Sequence, residues 1–297
     1  MEKIVEVKNL TKKFGKFTAL DGVNLSLNQG EIHGFIGPNG AGKTTTIRVI
    51  LGILKATKGD VSVFGMDAWQ DAVAIHKKVA FVPGDVSLWD NLTGGEVIDL
   101  FIKLQGTHNQ TRKEELIKKF NFDPTKKCIT YSKGNRQKVA LIAALSSDAD
   151  LYILDEPTSG LDPLMEEVFK ECIHELKKEN KTILLSSHIL SEVEELCDQI
   201  SIIREGKIIE TGTMKDLRHL HRTNITVETK KKVTGLSKLK GIHDIEDQDG
   251  VLTFNVDNDN VGSIITHLSK FDIINLISVP PSLEELFMTH YKSDGEE

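Results

Sequence analysis

Lys43 and Thr44 close the run Gly37-Pro38-Asn39-Gly40-Ala41-Gly42-Lys43-Thr44, and the spacing of that run implies phosphate chemistry. Glycines at these offsets let backbone N–H groups turn inward around a triphosphate. Lys43 sets a point charge between the terminal phosphates, and the Thr44 hydroxyl is a hard oxygen ligand for Mg²⁺. A Gly-rich structural turn is the plain alternative, and the flanks argue against it. Ile32, Phe35 and Ile36 read as a buried strand before the loop, and Thr45 to Leu51 as a helix after it. The N-terminus of that helix adds partial positive charge beneath the phosphates.

Leu151-Tyr152-Ile153-Leu154 is a continuous apolar run ending in Asp155-Glu156-Pro157. Such a run suits a strand buried on both faces of a parallel sheet. Carboxylates at its C-terminal edge lie where open α/β sheets bind ligands. Asp155 suits a Mg²⁺ held through water. Glu156 suits a general base that polarises an attacking water, a role worth about 10²–10⁴ in rate. The competing reading makes both acids caps of the helix starting near Pro163.

These residues resemble the nucleotide-binding subunit of an ATP-binding cassette (ABC) transporter, from about Val5 to Leu217. Tyr131-Ser132-Lys133-Gly134-Asn135-Arg136-Gln137-Lys138 is similar to the family signature and opens an apolar helix, Val139 to Leu145. The resemblance implies that Ser132 and Gly134 face the γ-phosphate held by a second subunit; read alone, they are an ordinary helix cap. Ser159-Gly160-Leu161-Asp162 resembles the D-loop, which couples two sites across a dimer, and is equally a turn before a helix with Pro163 at its first position. His188, after Thr182 to Ser187, resembles the switch histidine that contacts the γ-phosphate. Phe14 stands where the family stacks an aromatic on adenine. The implied cofactors are ATP, held by Phe14, Gly37 to Thr45, Ser132, Gly134 and Asp162, and Mg²⁺, held by Thr44 and Asp155.

Two departures from the family pattern stand out. Gly84, in Phe81-Val82-Pro83-Gly84-Asp85, occupies the position of the family's Q-loop glutamine, leaving Asp85 one residue later, or a water, to supply the missing metal oxygen. Lys133 and Asn135 replace the second glycine and the glutamine of the signature, and Lys133 adds a cation near the trans phosphate.

The elements that position these groups follow from periodicity. Val5–Phe14, Val23–Leu27 and Val61–Phe64 read as an antiparallel flank with a turn at Asn28-Gln29-Gly30. Residues 92–147 are helix-rich, matching the family's helical subdomain. Leu164, Val168, Cys172 and Leu176 suggest one buried helical stripe. Ile200–Ile203 and Lys207–Glu210 flank Glu205-Gly206 as a hairpin. Beyond about His219 the pattern turns β-rich: strands at Asn224–Thr229, Ile242–Ile245, Val251–Val256 and Ile273–Val279, with a helix over Asn260–Phe271. A βαββαβ sandwich is expected. Pro280 to Phe287 resembles the closing segment of daunorubicin- and bacitracin-resistance exporter ATPases, read either as a capped amphipathic helix or as a regulatory or docking segment.

The expected fold class is α/β: a P-loop cassette (1–218), with a mixed sheet, an antiparallel β flank and a helical subdomain, plus a small regulatory or dimerising α+β domain (219–297). Among 297 residues, 44 acids against 37 bases give a net charge of −7, which disfavours nucleic-acid partners. Cys128, Cys172 and Cys197 lack metal-ligand spacing and fit reduced thiols in the cytoplasm. No apolar run approaches about 18 residues, and Met1 to Val5 shows no signal peptide. The expectation is therefore an ATPase on the cytoplasmic face of the membrane, homodimerising through shared nucleotide and driving a separately encoded integral-membrane permease, as an exporter. A non-transport cassette ATPase, or a weakly hydrolysing regulatory module, is the alternative.

Overall fold

Ile32–Ile36 (β3), Leu151–Asp155 (β7) and Thr182–Ser187 (β8) are buried along their whole length, as central strands of a parallel sheet are, the polar His33, Asp155, Thr182, Ser186 and Ser187 included. In the computed structural model, which describes residues 2–106, 110–219, 222–236, 239–248 and 250–279, these three strands are the middle of a six-stranded sheet. Val79–Val82 (β6), Gln199–Arg204 (β9) and Lys207–Gly212 (β10) complete it, in the order β10-β9-β3-β8-β7-β6. The pairs β9-β3, β3-β8, β8-β7 and β7-β6 are parallel. Successive side chains of a strand point to opposite faces, and the core divides accordingly. Tyr152, Leu154, Ile183 and Leu185 pack on one face with Leu141, Ile142 and Phe169. Leu151, Ile153 and Leu184 pack on the other with Leu10, Leu20 and Ile47.

The second of these layers is roofed by a separate four-stranded antiparallel sheet. It comprises Lys3–Phe14 (β1), Phe17–Asn28 (β2), Lys58–Val63 (β4) and Met66–Asp67 (β5), in the order β2-β1-β4-β5. The antiparallel flank is a sheet of its own, beside the six-stranded sheet. Lys43–Ile50 (α1) follows β3, and Ala72–His76 (α2) precedes β6. The helix-rich segment holds Gly94–Gln105 (α3), Gln110–Lys119 (α4) and Lys133–Leu145 (α5). A reciprocal capping box between Thr93 and Glu96 starts α3.

Pro163–Lys178 (α6) starts at the Asp162 cap, whose side chain accepts from Met165 N–H at 3.1 Å. Its buried face is Met165, Phe169, Cys172, Ile173 and Leu176, while Leu164 is exposed. The expected stripe is therefore wrong at its first member. Steps of four residues overrun a turn of about 3.6 by about 40° each, so three of them carry Leu164 about 120° away from Leu176. Leu190–Leu196 (α7) follows β8.

The chain divides into two compact units, Met1–Thr211 and Gly212–Glu297. The second contains Met214–His219 (α8), Thr223–Thr229 (β11), Ile242–Gln248 (β12), Val251–Val256 (β13), Val261–Leu268 (α9) and Ile273–Val279 (β14). Its antiparallel sheet has the order β12-β13-β11-β14. Ile225, Val227, Phe254 and Val256 of the sheet bury against Ile264 and Leu268 of α9. Among the described residues joining β11 to β12 there is no α-helix where the expected βαββαβ pattern has its first crossover helix. Leu236, with Val233 and Leu239 packed beside it, fills the core there. The Pro280–Phe287 segment lies outside the described residues.

Candidate functional site

Parallel pairing brings the C-terminal ends of β3, β8 and β7 side by side, and the chemistry-bearing residues sit on the loops that leave them. From β3 the chain enters the Gly37–Thr44 loop. Gly42 caps α1 at φ 114°, a backbone that only glycine adopts without strain. A Cβ at Gly37 would stand 2.2 Å from the Ile203 carbonyl oxygen, so this loop is built against β9 with no room for a side chain. Lys43 is 5 % exposed; its Nζ donates to the Gly37 carbonyl at 2.7 Å and lies 3.4 Å from Glu156 Oε1. The first turn of α1 presents backbone N–H groups that have no partner within the helix.

At the end of β7, Asp155 is almost wholly buried. Thr44 Oγ1 donates to its Oδ2 at 2.8 Å, and Ser186 Oγ of β8 donates to its Oδ1. Two hard oxygens, Thr44 Oγ1 and Asp155 Oδ2, therefore converge at the foot of the loop, a donor set that fits Mg²⁺. Glu156 follows at φ 48°, a left-handed conformation that costs a non-glycine residue about 1–3 kcal/mol. Its backbone N–H donates to the Ser186 carbonyl at 3.0 Å. Its carboxylate lies between Lys43 and His188, with His188 Nδ1 3.3 Å from Oε2.

Lys43, Thr44 and Glu156 open on a cavity of about 340 Å³ that Phe14, Phe17, Ala19, Pro38, Asn39, Gly40, Gly42 and Thr45 also line, while Asp155 and His188 stand off its lining as partners of Thr44 and Glu156. Ala41 contributes backbone only: its side chain is buried and its carbonyl accepts from Gly206 N–H at 2.9 Å. Phe14 and Phe17 are cross-strand partners at the β1–β2 turn and are 48 % and 67 % exposed, an apolar platform at the mouth of the cavity. Phe17 and Ser186 are the residues that the sequence reading missed. The two-residue Gly15-Lys16 turn between alternating strands is the signal that pairs Phe14 with Phe17.

Ser132, Gly134 and Asp162 do not line this cavity. Ser132 caps α5, accepting from Asn135 N–H, and Asp162 caps α6. The signature helix is instead fastened to the turn after β7. Gln137 Nε2 donates to the Pro157 carbonyl at 2.9 Å, and Lys133 Nζ donates to Ser159 Oγ at 2.7 Å. A Cβ at Gly134 would stand 2.4 Å from the Gly160 carbonyl oxygen. Asp85 is exposed and lines a different cavity, of about 350 Å³, with Tyr131, Lys133, Arg136 and Gln137. It is the Gly84 position that faces the buried carboxylate: a Cβ there would lie 3.6 Å from Asp155 Oδ2.

Comparison with known proteins agrees with this geometry. The ABC transporter family matches residues 20–159, and the family of the ATP-binding protein DrrA1-3-like, C-terminal domain matches residues 212–291. The Bacitracin transport ATP-binding protein BcrA of Bacillus licheniformis is 33 % identical over 97 % of this chain and 94 % of its own length. A solved ATP-binding subunit of an ABC transporter superposes with a TM-score of 0.68 at 32 % identity, covering 73 % of this chain and 92 % of that one. The ATP-binding cassette MJ0796, solved as a dimer in a post-hydrolysis state with ADP and Pi, superposes with a TM-score of 0.65 at 26 % identity, covering 71 % of this chain and 98 % of that one.

Proposed function

The chain belongs to the ATP-binding proteins of ABC transporters and is an ATPase, and from that premise we propose which residues carry the reaction and what it drives. One observation carries the proposal: Lys43, Thr44, Asp155, Glu156 and His188 converge on one edge of the parallel sheet. The triphosphate lies in the cradle of Gly37 to Thr45, its terminal charge met by Lys43 and the α1 N-terminus. Phe14 and Phe17 receive the base. Thr44 and Asp155 would hold Mg²⁺, which would neutralise charge on the terminal phosphates. Glu156 accepts the proton of the attacking water, and His188 orients its carboxylate.

Ser132 and Gly134 lie off this cavity and serve the nucleotide of a second copy, so that ATP closes a head-to-tail homodimer. Closure follows from the differential affinity of ATP for the closed state, because only that state adds the signature contacts. The permease is a separate integral-membrane chain: among the described residues no helix is long and apolar enough to cross a membrane. An apolar groove of about 160 Å³ lined by Phe81, Pro83, Leu88, Phe101, Ala140 and Ala144 supports docking of such a partner. Trp89, in the loop before α3, and Leu104 on α3, 51 % and 72 % exposed, add apolar surface. That docking places the protein peripherally, on the cytoplasmic face of the membrane. The name of its bacitracin-transport relative supports a multidrug or antibiotic exporter.

Glu156→Gln tests the chemistry. It removes the base and keeps every phosphate ligand, so ATP affinity should hold while turnover stops and an ATP-bound dimer accumulates. Phosphate release and size-exclusion chromatography in Mg-ATP measure both. Turnover near that of the wild type, or a monomer only, would overturn the assignment.

A further inference from the structure

Glu192 on α7 is 4 % exposed and lies outside the nucleotide cavity, yet it reaches both catalytic loops from behind. Its Oε2 accepts from Ser187 Oγ at 2.7 Å, and Thr158 Oγ1 makes a longer contact of 3.5 Å to the same oxygen. Ser187 is the residue before His188, and its hydroxyl also accepts from Ile189 N–H at 3.0 Å, so the backbone on both sides of His188 hangs on this one group. Thr158 is two residues past Glu156, in the turn where Ser159 N–H donates back to the Glu156 carbonyl at 3.1 Å.

The other oxygen, Glu192 Oε1, is buried with no hydrogen-bond partner among the described residues. A buried orphan oxygen lowers stability by about 1–3 kcal/mol. Its presence is the kind of local conflict that folded proteins keep where function needs it. Burial pushes the Glu192 carboxyl above the ordinary range, with the hydrogen bonds from Ser187 and Thr158 opposing it; of the nearby charges, Glu166 adds to the shift and Lys170 opposes it.

We propose that Glu192 is a positioning residue for ATP hydrolysis, gripping Ser187 on one side and Thr158 on the other and thereby fixing the separation of His188 from Glu156. The inference rests on the roles proposed above for those two residues. It makes the 3.3 Å contact between His188 Nδ1 and Glu156 Oε2 a property of the buried brace as well as of the two side chains that meet.

Steady-state turnover, KM for ATP and melting temperature are measured on the purified 297-residue chain for Glu192→Gln, Glu192→Leu, His188→Ala and the double variant Glu192→Leu/His188→Ala. The amide oxygen of Gln accepts the same two hydroxyls, so Glu192→Gln should keep most of the wild-type kcat. Glu192→Leu leaves the buried Ser187 and Thr158 hydroxyls without their shared acceptor, so its melting temperature should fall; assayed well below that temperature, it should leave KM within about twofold and lower kcat by about tenfold or more. The double variant should be no slower than His188→Ala, because the group being positioned is already gone. Wild-type kcat in Glu192→Leu, a folded but slow Glu192→Gln, or additive losses in the double variant would each overturn the proposal. Should Glu192→Leu not fold, Glu192→Asp, one methylene short of both hydroxyls, carries the same kinetic expectation. Wild-type turnover in His188→Ala is a separate outcome that removes the site assignment itself.

Discussion

Lys43 is an ammonium at 5 % exposure whose neighbours are the Gly37 and Pro38 carbonyls and the Glu156 carboxylate. A buried charge is tolerable only when it is paired, and a phosphate is a stronger partner than any of these neighbours. Lys43→Ala should therefore weaken ATP binding by tenfold or more, about 1.4 kcal/mol. Calorimetry on the purified chain measures it, and unchanged affinity would remove the phosphate loop from the account. Lys43, Thr44 and Asp155 were legible in the sequence because each sits in a short contiguous motif whose chemistry fixes its spacing. Ser186 was not. It reaches Asp155 through strand register, 31 residues along the chain, and no local pattern distinguishes it from its neighbour Ser187. Phe17 was legible in principle and was passed over, because a single aromatic was sought where the turn brings two together.

Among the elements, α5 and the turn after β7 are in such close contact that a methyl group does not fit between them. In Gly134→Ala the new Cβ meets a backbone oxygen at 2.4 Å, so one segment must move. Turnover should fall by about tenfold or more, equivalent to about 1.4 kcal/mol, while the affinity of a single chain for ATP stays unchanged, since Gly134 is off the cavity. Phosphate release and calorimetry separate the two effects; wild-type turnover would mean that the contact yields without consequence. The buried strands were readable from their apolar runs, and the helix boundaries from Ser132, Asp162 and Pro163. The buried face of α6 was harder to read, because a row of four-residue steps drifts around a helix. The connection between β11 and β12 was harder still, since Leu236 fills core space there with no α-helix among the described residues around it.

For the whole molecule, the division between Thr211 and Gly212 falls a few residues before the boundary that composition suggested. Every residue assigned to nucleotide lies before it, and each unit has its own buried cluster. A chain ending at Thr211 should therefore fold and bind ATP with affinity close to that of the 297-residue protein; an insoluble or non-binding product would make the two units interdependent. The separation of Ser132 from the cavity that holds Lys43 has a genetic reading as well. In a homodimer each reaction centre then has two parents. A Lys43→Ala chain lacks the donor half of the centre, and a Ser132→Arg chain lacks the acceptor half, so each should be inert alone. Co-expressed, they form mixed pairs in which one centre inherits both intact halves. Turnover should reappear in the mixture and vanish again when the partners are purified apart, the behaviour of two defective alleles that complement each other.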